Sequence, residues 1–280
     1  MSTKKYTNSI FESIKASIAK EDTKVSGYKD ILKMEVGKTY IVRLLPNIND
    51  NKNTFFHHFM QGWESFATGQ YVSALSPATF GEPDPISTER YKLIKNGTDA
   101  EKEKADKVRR SEKWLVNVYV VDDPTNPENN GTVKILRYGK QLHKIIDSAI
   151  NGDDAAEFGS KIFDLSKEGC NFKIKCETQS SFPTYVSSRF VSSSDLKLTE
   201  DQIESIYNSV HDLTKIYQTK TYDELVEMWN THFLCKTNDE QPAKTTKQVK
   251  SAAPETTDIE PDASFDTNDD EQIKQLLAGI

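Results

Sequence analysis

WLVNVYVVDDPTNPENNGTVKILRY, Trp114 to Tyr138, decides the fold. Trp114 to Val121 is β-branched or aromatic at most positions, which is the composition of a strand. The connection that follows supplies Pro124, Pro127 and Gly131, residues that stop strands and fix turns. Thr132 to Tyr138 then returns as a second strand, so the stretch predicts a long hairpin. The return strand runs directly into a helix whose Leu142, Ile145, Ile146, Ala149 and Ile150 share one face.

Outward from the hairpin, KTYIVRLLP (Lys38 to Pro46) alternates poorly but is β-rich and ends in proline, as a largely buried strand would. NFKIKCE (Asn171 to Glu177) predicts a further strand, followed by the polar aromatic loop SSFPTYVSSRF. Two helices close the body, each opened by a capping box. Thr199 with Gln202 starts one whose apolar face runs through Ile203, Ile206, Tyr207, Val210, Leu213 and Ile216. Thr221 with Glu224 starts one bearing Leu225, Met228, Trp229 and Phe233. The folded body is read as residues 25–235, between an arm (1–24) and a tail (236–280).

Charge separates these regions. Ser251 to Ile280 holds eight acids against Lys274, which accounts for the whole net charge of −7 and leaves the first 250 residues balanced. The segment from Lys236 is too poor in bulky residues to offset the entropy of ordering and reads as disordered. Met1 to Lys20 carries Lys4, Lys5, Lys15 and Lys20 against Glu12. Within it, Ile10, Phe11, Ile14 and Ile18 form a helical apolar stripe that docks either on its own core or on a neighbouring molecule. No run of 18 apolar residues exists and the basic start leads into polar sequence, so neither a membrane-spanning helix nor a secretory leader is expected. Three cysteines without Cys-x-x-Cys spacing favour a reducing compartment over a disulfide framework.

Within the neutral body, the bases are clustered. Lys102 to Lys113 includes Arg109, Arg110 and Lys113, and Thr132 to Ile146 holds Lys134, Arg137, Lys140 and Lys144 with no acid; Trp114 and Tyr138 lie beside these bases. The loop with Phe182, Tyr185 and Arg189 repeats the pairing. Cations attract phosphates, and exposed rings stack on unpaired bases, so three such patches point to a single-stranded nucleic-acid groove if they converge. Strand alternation prevents all of them from facing one groove, and Trp114 and Tyr138 are the rings expected to be lost to the core. The tethered acidic tail, with Asp266, Asp269, Asp270 and Glu271, could compete for such a groove or recruit partners. Other readings remain open. A scaffolding protein could assemble through the same arm and tail. A nuclease could hold a metal at Asp122 and Asp123, although acids beside Pro124 are ordinary turn formers. His57 and His58 are adjacent, so they point to opposite faces of a strand and cannot share an ion.

The stretch Trp114 to Lys140 resembles the core of the single-stranded DNA-binding (helix-destabilising) protein of T-even-like bacteriophages. IVRLLP at Ile41 to Pro46, Gly169 to Phe190, and YDELVEMW at Tyr222 to Trp229 are similar to that family's segments in the same order. The resemblance implies an α+β protein: an OB-fold β-barrel core with an associated helical and loop subdomain, a basic N-terminal arm for cooperative self-association, and a disordered acidic tail. It also implies single-stranded DNA, copies of itself, and replication and recombination proteins as partners, in the cytoplasm of an infected bacterial host. Carried over by position, the family's basic motif falls on Val108 to Ser111, its basic-aromatic strand end on Arg137 to Lys140, and its aromatic loop on Phe182 and Tyr185. A weaker match, Lys4 to Thr7, starts the arm. Familiar members hold a structural zinc with one His and three Cys. Here Gln61 and Ser76 fall near the ligand positions and no cysteine precedes Cys170, so no cofactor is expected. Apolar packing of Trp63, Phe66, Tyr71 and Phe80 is expected in its stead, or else a subdomain looser than in the relatives.

Overall fold

A computed structural model describes residues 29–236. The arm residues Lys4, Lys5, Ile10 and Ile14 and the tail residues Asp266, Asp269, Asp270 and Glu271 lie outside the described residues. In chain order the strands are β1 (Thr39–Leu45), β2 (Phe55–Glu64), β3 (Tyr71–Leu75), β4 (Arg109–Asp122), β5 (Val133–Tyr138), β6 (Cys170–Lys175), β7 (Glu177–Gln179), β8 (Phe182–Thr184) and β9 (Arg189–Ser193). The helices are α1 (Pro85–Asn96), α2 (Asp99–Asp106), α3 (Lys140–Asn151), α4 (Glu200–Asn208) and α5 (Tyr222–His232). The described chain divides into two compact units, the first of residues 29–56, 114–178 and 184–217, the second of 57–113, 179–183 and 218–236.

In the first unit the expected hairpin forms, with Trp114 opposite Tyr138 and Tyr119 opposite Val133. β1 pairs antiparallel with β4 on one side and β6 on the other, and β9 pairs with β6. Tyr40, Val42 and Leu44 point into a core with Val116, Val118, Leu136, Leu142, Ile146 and Phe172. Leu45, on the opposite face of β1, packs with Tyr119 and Leu165. Both faces are therefore covered, which is why this strand reads as apolar at most positions instead of alternating.

Arg43 lies within that strand and is fully buried. Its Nε donates to Asn171 Oδ1 at 2.7 Å, its Nη1 to the carbonyls of Asp164 (2.9 Å) and Ser166 (2.7 Å), and its Nη2 to the Ser194 carbonyl and hydroxyl. Burial lowers the guanidinium's affinity for its proton, but the neighbouring Asp164 counters part of that effect. The chain passes so closely here that a Cβ on Gly169 would lie 1.8 Å from the Asp164 carbonyl oxygen and 2.6 Å from Arg43 Nη1.

The helix expected from Thr199 to Ile216 stops early. Its capping box forms, but α4 ends at Asn208 with Ser209 as C-cap. Buried Asn117 on β4 then takes the His211 backbone at both ends, donating to its carbonyl and accepting from its N–H at 2.9 Å each. Those two bonds replace the helical ones. Val210 and Leu213 are nonetheless kept in the interior.

In the second unit β2 pairs with β3 in a hairpin that matches Met60 with Leu75 and Glu64 with Tyr71. Trp63 packs with Ile86, Ala105, Val108, Leu225, Met228, Trp229 and Phe233, and Phe66 borders that cluster. Trp229 and Phe233 stack at 3.8 Å. The expectation for Tyr71 and Phe80 is corrected, since these rings are 54% and 49% exposed. Tyr71 instead lies across Gly62, where an added Cβ would meet its hydroxyl at 2.2 Å.

Buried polar bonds supply what those two rings do not. Asp84 caps α1, accepting from the Ser87 N–H at 3.0 Å, and also accepts from Gln61 Nε2 on β2 (2.7 Å) and from the Ser76 hydroxyl beyond β3. Gln61 Nε2 donates as well to Ser87 Oγ at 2.6 Å. One carboxylate thus ties β2, the end of β3 and α1 together.

Candidate nucleic-acid interface

In the second unit, the run expected as one basic segment is split by a change of structure. Lys102 and Lys104 lie on α2, Lys107 is its C-cap, and Arg109 begins β4. Strand alternation then puts Arg109, Ser111 and Lys113 on one face and Arg110 on the other. Arg109 is exposed, and Arg110 and Lys113 are half-buried. The Arg110 guanidinium sits 4.6 Å over the ring of Phe59, which also meets His57 edge-on at 4.8 Å. His57 Nε2 lies 2.7 Å from Glu112 Oε1. Phe59 is thus the aromatic partner of this basic strand, one that sequence proximity missed because it comes from β2.

In the first unit, Trp114 and Tyr138 are buried, 7% and 3% exposed. Trp114 stacks on His143 of α3 at 4.0 Å and 7°, and Tyr138 stacks beside it at 6.1 Å. Burial pushes the Tyr138 phenol well above its ordinary range. These two rings, stacking candidates by their place beside the bases and also the pair most apt to be lost to the core, are packed in it. Lys134, Arg137 and Lys140 remain half-buried at the surface. Lys134 Nζ lies 3.9 Å from Asp30, and alternation puts it on the opposite face of β5 from Arg137.

The aromatic loop contains a short hairpin. Ser180 and Ser181 hold φ of 50° and 70° between β7 and β8, the left-handed pair that a two-residue turn requires. Phe182 follows, 43% exposed. Tyr185 is half-buried against the core of the first unit, and its N–H donates to Gln141 Oε1 on α3 at 2.8 Å. Arg189 is exposed on β9 directly opposite Lys173 on β6. Two cations facing each other across a sheet repel, a cost that a bound anion relieves. Lys173 was not singled out by sequence, although the alternation Lys173, Lys175 against Phe172, Ile174 carried the signal.

The acids considered for a nuclease metal have other work. Asp123, 1% exposed, accepts from the Thr125 N–H (2.9 Å) and hydroxyl (2.8 Å), the Asn126 N–H (3.0 Å) and Asn129 Nδ2 (2.8 Å). Burial raises this carboxyl's pKa, but those bonds outweigh it and hold the group below its ordinary value. His58 is buried and His57 exposed, on opposite faces as expected. The Gln61, Ser76, Asp84 and Ser87 cluster does not suit zinc. It offers an amide, two hydroxyls and one carboxylate already bonded to one another, where structural zinc takes thiolates and imidazoles. Among the described residues, no three His, Cys, Asp or Glu side chains group closely enough to hold a metal ion. No helix among them is long and apolar enough to cross a membrane.

These features define an α+β protein whose antiparallel sheet and surface loops carry arginines, lysines and exposed rings. The chain belongs to the family described as gp32 DNA binding protein like, which it matches over residues 36–249. It is 26% identical over 197 residues to the single-stranded DNA-binding protein of Enterobacteria phage T4, covering 69% of this chain and 64% of that protein. The corresponding protein of Enterobacteria phage T2 is 26% identical over 192 residues, covering 66% and 62%. The match thus spans a little under two-thirds of each relative's length.

Proposed function

We propose that this protein binds single-stranded DNA without catalysis or strong sequence preference, coating it cooperatively during phage replication, recombination and repair in the host cytoplasm. The strand order of the first unit carries the reading. Five antiparallel strands follow one another as β1, β4, β5, β6 and β9, with α3 between the third and fourth, the first paired to the second and fourth. This order supports reading the first unit as an OB fold, a fold that binds oligonucleotides on its second and third strands and on the loops joining strands one to two and four to five. Here Lys134, Arg137 and Lys140 belong to or follow those strands. Arg109, Arg110 and Lys113 end the first of those connections, and Phe182, Tyr185 and Arg189 belong to or follow the second.

Arg109, Arg110, Lys113, Lys134, Arg137, Lys140 and Arg189 are the proposed phosphate contacts, and Phe182 and Tyr185 the stacking rings. Trp114 and Tyr138 support β4 and β5 from the core. Lys4, Lys5, Ile10 and Ile14 serve self-association, and the acidic tail recruits replication and recombination proteins. The second unit is held without a metal, by the Asp84 cluster and its aromatic core.

Affinity for poly(dT) should fall with log salt at a slope of about −0.7 per phosphate contacted. Arg137→Ala and Arg189→Ala should each make that slope shallower by about 0.7. Phe182→Ala should cost about 1–3 kcal/mol of binding at unchanged slope, because stacking releases no counterions. A flat salt response in the unaltered protein rejects the reading.

A further inference from the structure

β3 is the last strand on its side of the sheet, and no strand among the described residues pairs with its outer edge. Its hairpin with β2 is bounded by bonds from the Ser65 N–H to the Gln70 carbonyl and from the Ser76 N–H to the Phe59 carbonyl, 2.8 Å each. The register between those bonds is unbroken, so Val72 and Ala74 bond to β2 while the N–H and carbonyl groups of Tyr71 and Ser73 point away from it. Edge strands are ordinarily guarded by lysine, proline or a bulge, and Tyr71 to Leu75 has none of these. Val72 and Ser73 border a groove of about 530 Å³ that is also lined by Lys220, Glu224, Glu227 and Thr231, a stripe along α5 and its approach. At the rise of a helix the stripe is about 16 Å long, the length of a strand of about five residues.

An open strand edge in a groove of that length calls for an extended segment, and the chain supplies one of the right charge. Gln241 to Lys250 holds Lys244, Lys247 and Lys250 and no acid, opposite in sign to Glu224 and Glu227, and its Thr245, Thr246 and Val249 are β-branched. The family match continues through this segment to residue 249. The segment is also tethered nearby, because α5 ends at His232, which itself lines the groove, and the chain from Lys236 to Gln241 can reach about 17 Å. The acidic stretch beyond Ser251 is repelled by the same two glutamates.

We propose that Gln241 to Lys250 lies in this groove of its own chain as a strand added to β3, its backbone bonded to Tyr71 and Ser73 and its lysines facing Glu224 and Glu227. The added strand covers an edge that would otherwise pair with other chains, and it fixes the point on the second unit from which the acidic tail departs. This docking is independent of DNA binding.

Backbone amide exchange in the full chain, read residue by residue by NMR, tests it. Tyr71 and Ser73 are exposed on the described body, yet their amides should exchange about tenfold or more slowly than unpaired ones. Neighbouring N–H groups of a strand point to opposite edges, so T245P/T246P removes one donor that faces β3 whichever register the segment takes. That variant alters no described residue. It should speed exchange at Tyr71 and Ser73 about tenfold or more and leave Val72 and Ala74 unchanged. Free exchange at Tyr71 and Ser73 in the unaltered chain, or protection that the two prolines do not remove, overturns the proposal. Protection that rises with protein concentration assigns the edge to a second molecule and overturns it as well.

Discussion

Arg43 in the first unit and Asp84 in the second solve the same problem with opposite charge. Each is buried, and each is bound to neutral partners on separate segments. Arg43 spreads five donors over Asn171, two loop carbonyls and Ser194. Asp84 collects donors from Gln61, Ser76 and the backbone of Ser87. Neither has an ion-pair partner in direct contact through these bonds. A buried charge joins remote segments when its geometry matches the groups they leave unsatisfied. Carbonyls at loop ends call for a cation, whereas hydroxyls, an amide and a helix N-terminus call for an anion.

The largest effect should come from Arg43→Met, which keeps an apolar stem but strands three backbone carbonyls. A loss of about 3–5 kcal/mol in urea unfolding is expected, in line with breaking other buried charged networks. Arg43→Lys should recover little, because one ammonium presents three donors from a point where the guanidinium presents five in a plane. A cost below about 1 kcal/mol would show that the carbonyls have other partners and that Arg43 does not join these segments.

Asp84→Ala should cost somewhat less, about 2–3 kcal/mol, because its partners are fewer and one is a hydroxyl able to turn to another acceptor. A metal chelator should leave the unfolding midpoint of the unaltered protein unchanged. A chelator-dependent midpoint would show that a metal, and not this carboxylate, joins β2, β3 and α1.

Asp123 is a third buried charge, a carboxylate whose partners are all local. Its pKa is held below that of the unfolded chain, so its stabilisation is complete above the unfolded value of about 3.9 and disappears as pH falls through the lower folded value. Asp123→Asn should cost about 1 kcal/mol at neutral pH and flatten the fall in urea midpoint between about pH 5 and 2. An unaltered acid limb would remove the carboxylate from the account of the turn.

Those three residues also show how legibility depends on distance along the chain. Asp123 was readable as a turn former because Thr125, Asn126 and Asn129 follow within six residues. The capping boxes at Thr199 and Thr221 were readable for the same reason. Asp84 before Pro85 carried a usable helix-start signal, and α1 was nonetheless missed. The end of α4 could not be read, since what stops it is Asn117, 94 positions away in the chain from His211. The basic motifs were legible as composition, but their faces were not. Phe59 under Arg110 and Lys173 against Arg189 come from strands brought together by pairing.

The long hairpin, the starts of α4 and α5, the local turn at Asp123 and the segregation of charge between arm, body and tail are legible in the amino-acid order alone. Each of these follows from interactions that close within a few residues or from composition alone. Tertiary structure decided that Arg43 lies in the interior, that Gln61, Ser76 and Asp84 meet, that Trp114 and Tyr138 turn inward while Phe182 stays out, and that β3 and α5 border one groove. Those outcomes depend on which distant backbone groups and side chains packing leaves uncovered, and linear spacing does not encode that.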